Sequence, residues 1–178
     1  METAPVTRED LMARLESLGI AVSLTEHPPL YTVEDSKALR GRIAGGHTKN
    51  LFLKDKKGAL FLLVVEEDAV IDLKSIDKTI GSARLSFGKP ELLAEKLGVT
   101  PGSVTAFAVI NDPEAEVSVI FDARLMRHEI INCHPLSNDA TVSIRRDDLL
   151  TFMRACGHTP TLLPLHHETA QIKTGDMK

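Results

Sequence analysis

Three separated stretches carry the residue types that can do chemistry. The first is Gly45-Gly46-His47-Thr48-Lys49-Asn50-Leu51-Phe52-Leu53. Two glycines free the backbone, several polar groups follow side by side, and an apolar run begins at once. That is the pattern of a strand starting at the rim of a site, polar at its mouth and buried immediately after. A lysine beside such a run packs its stem on apolar wall and keeps its ammonium at a cavity edge. There it is a fixed positive charge for an anionic or carbonyl-bearing ligand. The second stretch is Leu97-Gly98-Val99-Thr100-Pro101-Gly102-Ser103-Val104-Thr105, a glycine loop whose backbone N–H groups are placed to face a ligand. Amides of that kind, here at Gly102 and Ser103, hold a carbonyl oxygen or a developing oxyanion. The third is Asn132-Cys133-His134-Pro135-Leu136-Ser137-Asn138-Asp139-Ala140-Thr141, a largely apolar strand that ends in His-Pro and a polar loop. A residue before proline is held extended, which fixes where His134 sits. Each stretch also has a plainer reading: a snorkelling surface lysine, an ordinary turn and a structural histidine.

The elements that must position these residues follow from periodicity and caps. Thr7 to Asp10, followed by Leu11, Leu15 and Leu18, predicts a capped amphipathic helix stopped by Gly19. Ile20–Glu26 alternates as a strand, and Thr32 is placed to cap a short helix over Val33–Leu39. A strand from Lys49, a turn over Lys54–Gly58 and a strand over Ala59–Val65 make a hairpin, with Gly58 at positive φ. Further helices are expected at Asp72–Ile80, at Lys89–Leu97 with Pro90 in the first turn, and at Arg146–Cys156. Extended pieces are expected at Arg84–Phe87, Thr105–Ile110, Val117–Phe121, Glu129–Cys133 and Thr141–Ile144, with a helical turn at Arg124–Arg127. The hairpins make the sheet mixed and mainly antiparallel, so the fold class is an α/β domain with helices packed around a curved sheet. It lacks the strict βαβ alternation and the glycine fingerprints of nucleotide-binding folds.

At 178 residues, 43% of them hydrophobic and 26% charged, the chain reads as one domain over 1–165. The polar stretch 166–178 reads as a disordered tail. Without Trp and with a single Tyr, stacking on bases cannot be a large part of any binding. Cys133 and Cys156 lack metal spacing and fit a reducing cytosol. Met1–Asp10 is polar rather than a hydrophobic leader, and no apolar run is long enough for a membrane span, so a cytoplasmic location is expected. The chain carries −4, yet Lys37–Lys57 holds seven basic residues against Asp55 alone, so this window is +6 and the rest is −10. A local basic face of this kind, with Arg40, Arg42 and Lys54 in it, steers one end of a polyanion without coating it. A solvated hairpin tip is the alternative for Lys54, Lys56 and Lys57.

Taken together, the blocks resemble the YbaK/prolyl-tRNA synthetase-associated editing family. The residues that carry the resemblance begin with His27-Pro28-Pro29, Tyr31-Thr32-Val33-Glu34 and Thr48 to Asp55. They continue through Arg84 to Phe87, Leu97-Gly98-Val99, Pro101 to Val104, and His134-Pro135-Leu136 with Asn138 and Thr141. The match runs from about Asp10 to Pro160 and is nearest to the freestanding branch that hydrolyses alanine mischarged on proline tRNA. The resemblance implies a deacylase that cuts the ester between an amino acid and the terminal ribose, without a cofactor. It implies that Lys49 is the essential lysine, with Asn50, the Gly102 loop and His134 around the aminoacyl group and Thr48, Tyr31 and Asn138 as further substrate contacts. Its partners would be the 3′ end of proline tRNA and prolyl-tRNA synthetase. The family's glycine loop commonly reads Gly-x-x-x-Pro, whereas here Gly102 is followed at that place by Ala106. Three alternatives stand beside this reading: the same chemistry on cysteine or serine mischarged on proline tRNA, a non-catalytic tRNA- or nucleotide-binding module, and a zinc hydrolase built on His47, His128 and His134. No H-x-x-E-H or C-x-x-C spacing favours the last.

Overall fold

The computed structural model describes residues 5–29 and 33–167. Helix α1 (Arg8–Ser17) opens with a capping box in which Thr7 and Asp10 bond each other's backbone N–H. Strand β1 (Ser23–Glu26) and helix α2 (Val33–Arg40) lead to the long strand β2 (Gly46–Asp55), which turns into β3 (Leu60–Glu66). Helix α3 (Ile76–Ile80), strand β4 (Leu85–Phe87) and helix α4 (Pro90–Leu97) come next. Strands β5 (Val117–Asp122), β6 (Ile130–Cys133) and β7 (Ala140–Arg145) precede helix α5 (Arg146–Ala155) and strand β8 (Thr161–Leu163). The sheet order is β1-β7-β6-β2-β3-β5-β8, with β4 also paired to β2. Among the described residues four pairings are antiparallel and three are parallel, so the sheet is mixed, as the hairpins implied.

Alternation along β2 and β3 sorts their side chains to two faces. Phe52, Leu62 and Val64 join the larger core with Leu11, Leu15, Leu93, Leu97, Leu149 and Phe152 of α1, α4 and α5. Leu53, Leu63 and Val65 face the other way, onto Ile76 of α3 and Leu165. Covered on both faces, β3 must be apolar at nearly every position, which is why its sequence does not alternate. Asp55 closes the hairpin by accepting from the N–H groups of Lys57 and Ala59 at 2.9 Å and of Ala83 at 3.1 Å. Gly58 takes φ +89°, as that turn requires.

Two expectations are corrected, and one strand is added. Thr105–Ile110 is not a strand: Ala106–Asn111 forms a 3-10 helix, capped by the Thr105 hydroxyl accepting from Phe107 N–H. The run is buried all round and shows no alternation, the case in which period cannot separate a strand from a helical segment. Its Phe107 meets Phe152 of α5 edge-on, with ring centroids 5.3 Å apart, a contact worth about 0.5–1.5 kcal/mol beyond burial. The helix expected from Asp72 starts only at Ile76, because Asp72 holds Lys74 N–H and the Ser75 hydroxyl in a turn of its own. A strand was not anticipated at Thr161–Leu163, which pairs in parallel with β5. Beyond it His166 and His167, the first residues of the expected tail, are both hydrogen-bonded to Val70. Residues 168–178 lie outside the described part. No helix among the described residues is long and apolar enough to cross a membrane.

Candidate active site

The cavity opens where β6 leaves β2. The two strands run parallel for only two positions, Gly46 beside Ile131 and His47 beside Asn132. The next strand on that side of β2 is β4, at Leu53–Asp55. Among the described residues, Thr48–Leu51 therefore have no paired strand there, although β3 pairs them on the other side. Gly45 and Gly46 make this approach possible. Gly45 has φ +109°, and a Cβ on Gly46 would come within 2.6 Å of the His128 ring.

Side chains hold the fork open in place of a strand. The Thr48 hydroxyl donates to the Asn132 carbonyl at 2.8 Å, and Asn50 Nδ2 donates to the Val104 carbonyl at 3.1 Å. Buried Asn132 pins the other prong. Its Nδ2 donates to the carbonyls of Ala44 and Gly46, and its Oδ1 accepts from the Ser143 hydroxyl. The resulting cavity of about 270 Å³ is lined by His47, Thr48, Lys49 and Asn50 of β2, by Pro101, Gly102 and Val104, and by Asn132, Cys133, His134 and Thr141, with Leu39 of α2 and Glu67 completing the wall.

The polar groups in this wall differ in how far they are committed. Lys49 is half-buried, and its Nζ donates to the Ala69 carbonyl at 2.5 Å. Asn50 Oδ1 is buried with no hydrogen-bond partner among the described residues. Such an acceptor costs about 1–3 kcal/mol until a ligand donor meets it. Burial pushes the His134 imidazole below its ordinary pKa, against the contact with the Ala140 carbonyl, so the ring is neutral at physiological pH. Burial pushes the Cys133 thiol up to about 12, which removes it as a thiolate nucleophile. His27 is buried behind the wall, with Nδ1 on the Pro28 carbonyl and Nε2 on the Thr141 hydroxyl.

Lys49, Asn50, Thr48, Gly102 and His134, all named from the sequence, thus meet at one cavity. Asn138 stands against Gly102, 3.6 Å from where a Cβ there would be. Ser103 is a correction: it is buried away from the cavity, and its N–H donates to the Thr100 carbonyl at 2.9 Å within the 3-10 turn Pro101–Ser103. That amide is committed to the turn and cannot face an oxyanion. Tyr31 and the side chain of Arg40 lie outside the described residues. Arg42 is exposed and follows the cavity-lining Leu39 by three residues. Lys54 is exposed at the far end of β2, about 17 Å along the strand from Lys49. It lies by a groove with Phe87 and Lys89 instead. The three histidines of the zinc reading bond separate partners: His47 the Ile43 carbonyl, His128 the Glu66 carboxylate, His134 the Ala140 carbonyl. Among the described residues no three His, Cys, Asp or Glu side chains converge as a metal site. Sequence reasoning did not single out Asn132 or Ala69. A polar residue amid Ile130-Ile131 and Cys133 was the available signal for the first, and Ala69 acts only through its carbonyl, which no sequence pattern marks.

The sequence profile of the aminoacyl-tRNA editing domain matches residues 27–152. The chain belongs to the aminoacyl-tRNA editing domain family. Its enzymatic class is that of the aminoacyl-tRNA deacylases. Among its relatives, the prolyl-tRNA synthetase associated domain-containing protein 1 of Danio rerio is 39% identical over 163 residues, covering 90% of this chain and 89% of that one. The prolyl-tRNA editing protein ProX of Acetoanaerobium sticklandii is 39% identical over 153 residues, covering 85% and 93%. A solved structure described as a candidate trans-editing enzyme for prolyl-tRNA synthetase superposes with TM-score 0.68 over 92% of this chain and 99% of its own, at 20% identity. That likeness shows a shared fold over most of the chain.

Proposed function

We propose that this editing-domain protein acts in trans on proline tRNA and hydrolyses the ester that joins a mischarged alanine to the terminal ribose. The observation that carries the reading is the convergence of Lys49, the unpartnered Asn50 Oδ1, Gly102 and His134 on one small cavity. The names of the relatives, a prolyl-tRNA editing protein and prolyl-tRNA synthetase associated domain proteins, support proline tRNA as the carrier.

An aminoacyl ester is already activated, so a positioned water suffices and a protein nucleophile is not needed. The work left to the protein is to orient the ester and to stabilise charge as it develops on the carbonyl oxygen. Lys49, held at its Nζ by the Ala69 carbonyl, places a cation beside the aminoacyl end. Asn50 Oδ1 accepts from a donor of that end, its ammonium or the free ribose hydroxyl. Gly102, which lines the same cavity, offers its N–H to the oxyanion. The ribose hydroxyl next to the ester orients the attacking water. Neutral His134 adds shape rather than charge, and with the Gly102–Ala106 loop it bounds the space for the amino-acid side chain. Arg40 and Arg42, at the end of α2, meet the phosphates of the acceptor end.

The test is a deacylation panel on proline tRNA charged with alanine, serine, cysteine or proline. Alanine is expected to be released fastest and proline spared. Faster release of cysteine or serine would reassign the substrate within the same chemistry. No hydrolysis of any ester, with tRNA still bound, would make the protein a binding module and sink the proposal.

A further inference from the structure

We infer that Leu165-His166-His167, which lies beyond the matched editing domain, is a strap that positions the Lys49 ammonium, with His166 as the positioning residue. The inference rests on Lys49 being the cation of the reaction. Lys49 shares a strand face with Leu51 and Leu53. That face is covered by Ala69 and Leu165, each 1% exposed and in one cluster. The Ala69 carbonyl is the acceptor that holds the Lys49 Nζ. Where this carbonyl points depends on the peptide that follows it, and the strap grips that peptide's residue from both sides. Val70 N–H donates to His166 Nδ1 at 3.0 Å, and the Val70 carbonyl accepts from His167 N–H at 2.6 Å.

Val70 itself is 45% exposed, so burial of its side chain does not fix the loop. The strap is anchored in turn, because Leu165 N–H donates to Asp122 Oδ1 of β5 at 3.0 Å. A lysine head on a flexible four-carbon stem stops where its acceptor stops it. Removing the grip on Val70 therefore lets the cation drift without removing it. Misplacement of a catalytic group by about 1 Å costs on the order of 100-fold at the extreme.

The test uses the full chain and three variants at one position. His166→Ala removes the acceptor, His166→Phe keeps a ring but lacks the nitrogen, and His166→Asn restores an acceptor atom near the place of Nδ1. Deacylation of Ala-tRNA(Pro) is followed for kcat and KM beside Lys49→Ala, with thermal midpoints for all. The expected result is a fall in kcat of about tenfold for Ala and Phe at a KM within about twofold of wild type, and recovery of most of it in Asn. Wild-type kcat in both Ala and Phe, or a loss that Asn does not recover, overturns the strap while an inactive Lys49→Ala leaves the lysine's role standing. Should Lys49→Ala itself turn over normally, both fall together. If the alanine variant does not fold, the Phe and Asn pair decides alone.

Discussion

At its Asp55 end β2 is paired on both sides, to β3 and to β4, whereas over Thr48–Leu51 only β3 runs alongside among the described residues. The polar groups at the two ends behave accordingly. Asp55 is buried and three N–H groups converge on its carboxylate, so the residue is committed to the turn and to the approach to β4 at Ala83. Asn50 commits its Nδ2 to the Val104 carbonyl and leaves its Oδ1 buried and unmet among the described residues. A strand that is paired on both sides consumes its own polar groups. One that loses a partner for a few residues keeps some to offer, at a cost in stability that a ligand offsets.

The sharpest way to break this contrast is at its two anchors. Lys49→Ala is expected to lower deacylation of the best substrate by on the order of 100-fold or more, the scale of losing a charge that stabilises the transition state. Its thermal midpoint should stay near wild type, since a half-buried rim lysine contributes little to either core. Parallel kinetics and melting curves check both halves, and near-normal turnover would refute the site. Asp55→Asn should do the reverse, lowering the midpoint by several degrees while turnover per folded molecule is kept. Its pH dependence carries a definite sign. Burial raises this carboxyl's pKa, but the N–H groups of Ala59, Ala83 and Lys57 and the Lys57 charge outweigh it, so the group titrates below the usual carboxylate range. A depressed folded-state value gives stability that is present above the unfolded pKa and lost as pH falls through the folded one. The gap between wild type and Asp55→Asn should therefore be widest near neutrality and narrow in acid.

How much of this was legible depended on whether a residue acts through its type or through its surroundings. The cap at Thr7, the turn at Gly58 and the hairpin of β2 with β3 follow from local pattern, and they stand where the pattern put them. Lys49, Asn50 and His134 were found because a charge, an amide and an imidazole beside apolar runs are conspicuous. Ser103 misled, because a Pro-Gly-Ser loop does not reveal which amides its own turn consumes. Ala106–Asn111 misled because the apolar run of five, Ala106–Ile110, fits a buried strand and a buried 3-10 helix equally well. The parallel meeting of β2 with β6, which makes the cavity, joins residues more than 80 positions apart and leaves no local trace.

A smaller effect is expected in the basic stretch around the end of α2. Reversing charge with Arg40→Glu and Arg42→Glu should weaken tRNA binding several-fold and flatten its salt dependence, since each phosphate left without its cation lowers that slope by about one. Hydrolysis of a minimal aminoacyl-adenosine should not change, because that substrate lacks the phosphates. Equal losses on both substrates would place the arginines in the chemistry or the fold.

The smallest expected effect concerns the wall that bounds the amino acid. A pocket that accepts alanine and spares proline cannot work by added attraction, because alanine offers less surface. A single methylene is worth only about 1–3 kcal/mol in an apolar pocket. Selection must come from a wall that larger or cyclic side chains strike. In the proposed reading the Gly102–Ala106 loop forms part of that wall: Gly102 and Val104 line the cavity, and Ala106, buried behind them, stands at the first position of its 3-10 helix. Proline suits that position, where the N–H lacks a partner within the helix. The preceding residue is already compatible, for Thr105 is extended at φ −157° and ψ 154°. The constraint on Ala106→Pro is space, since Ala106 is fully buried and a ring adds volume. If the ring is accommodated, the loop loses freedom and the wall stiffens. The ratio of kcat/KM for alanyl- over seryl-tRNA should then rise about two- to fivefold with little change on alanine, a fraction of the discrimination one methylene gives. Kinetics on alanyl-, seryl- and prolyl-tRNA before and after the substitution would measure it. A ratio that stays put, in a protein that melts as before, would assign the size limit to His134 and the β2 side of the cavity instead.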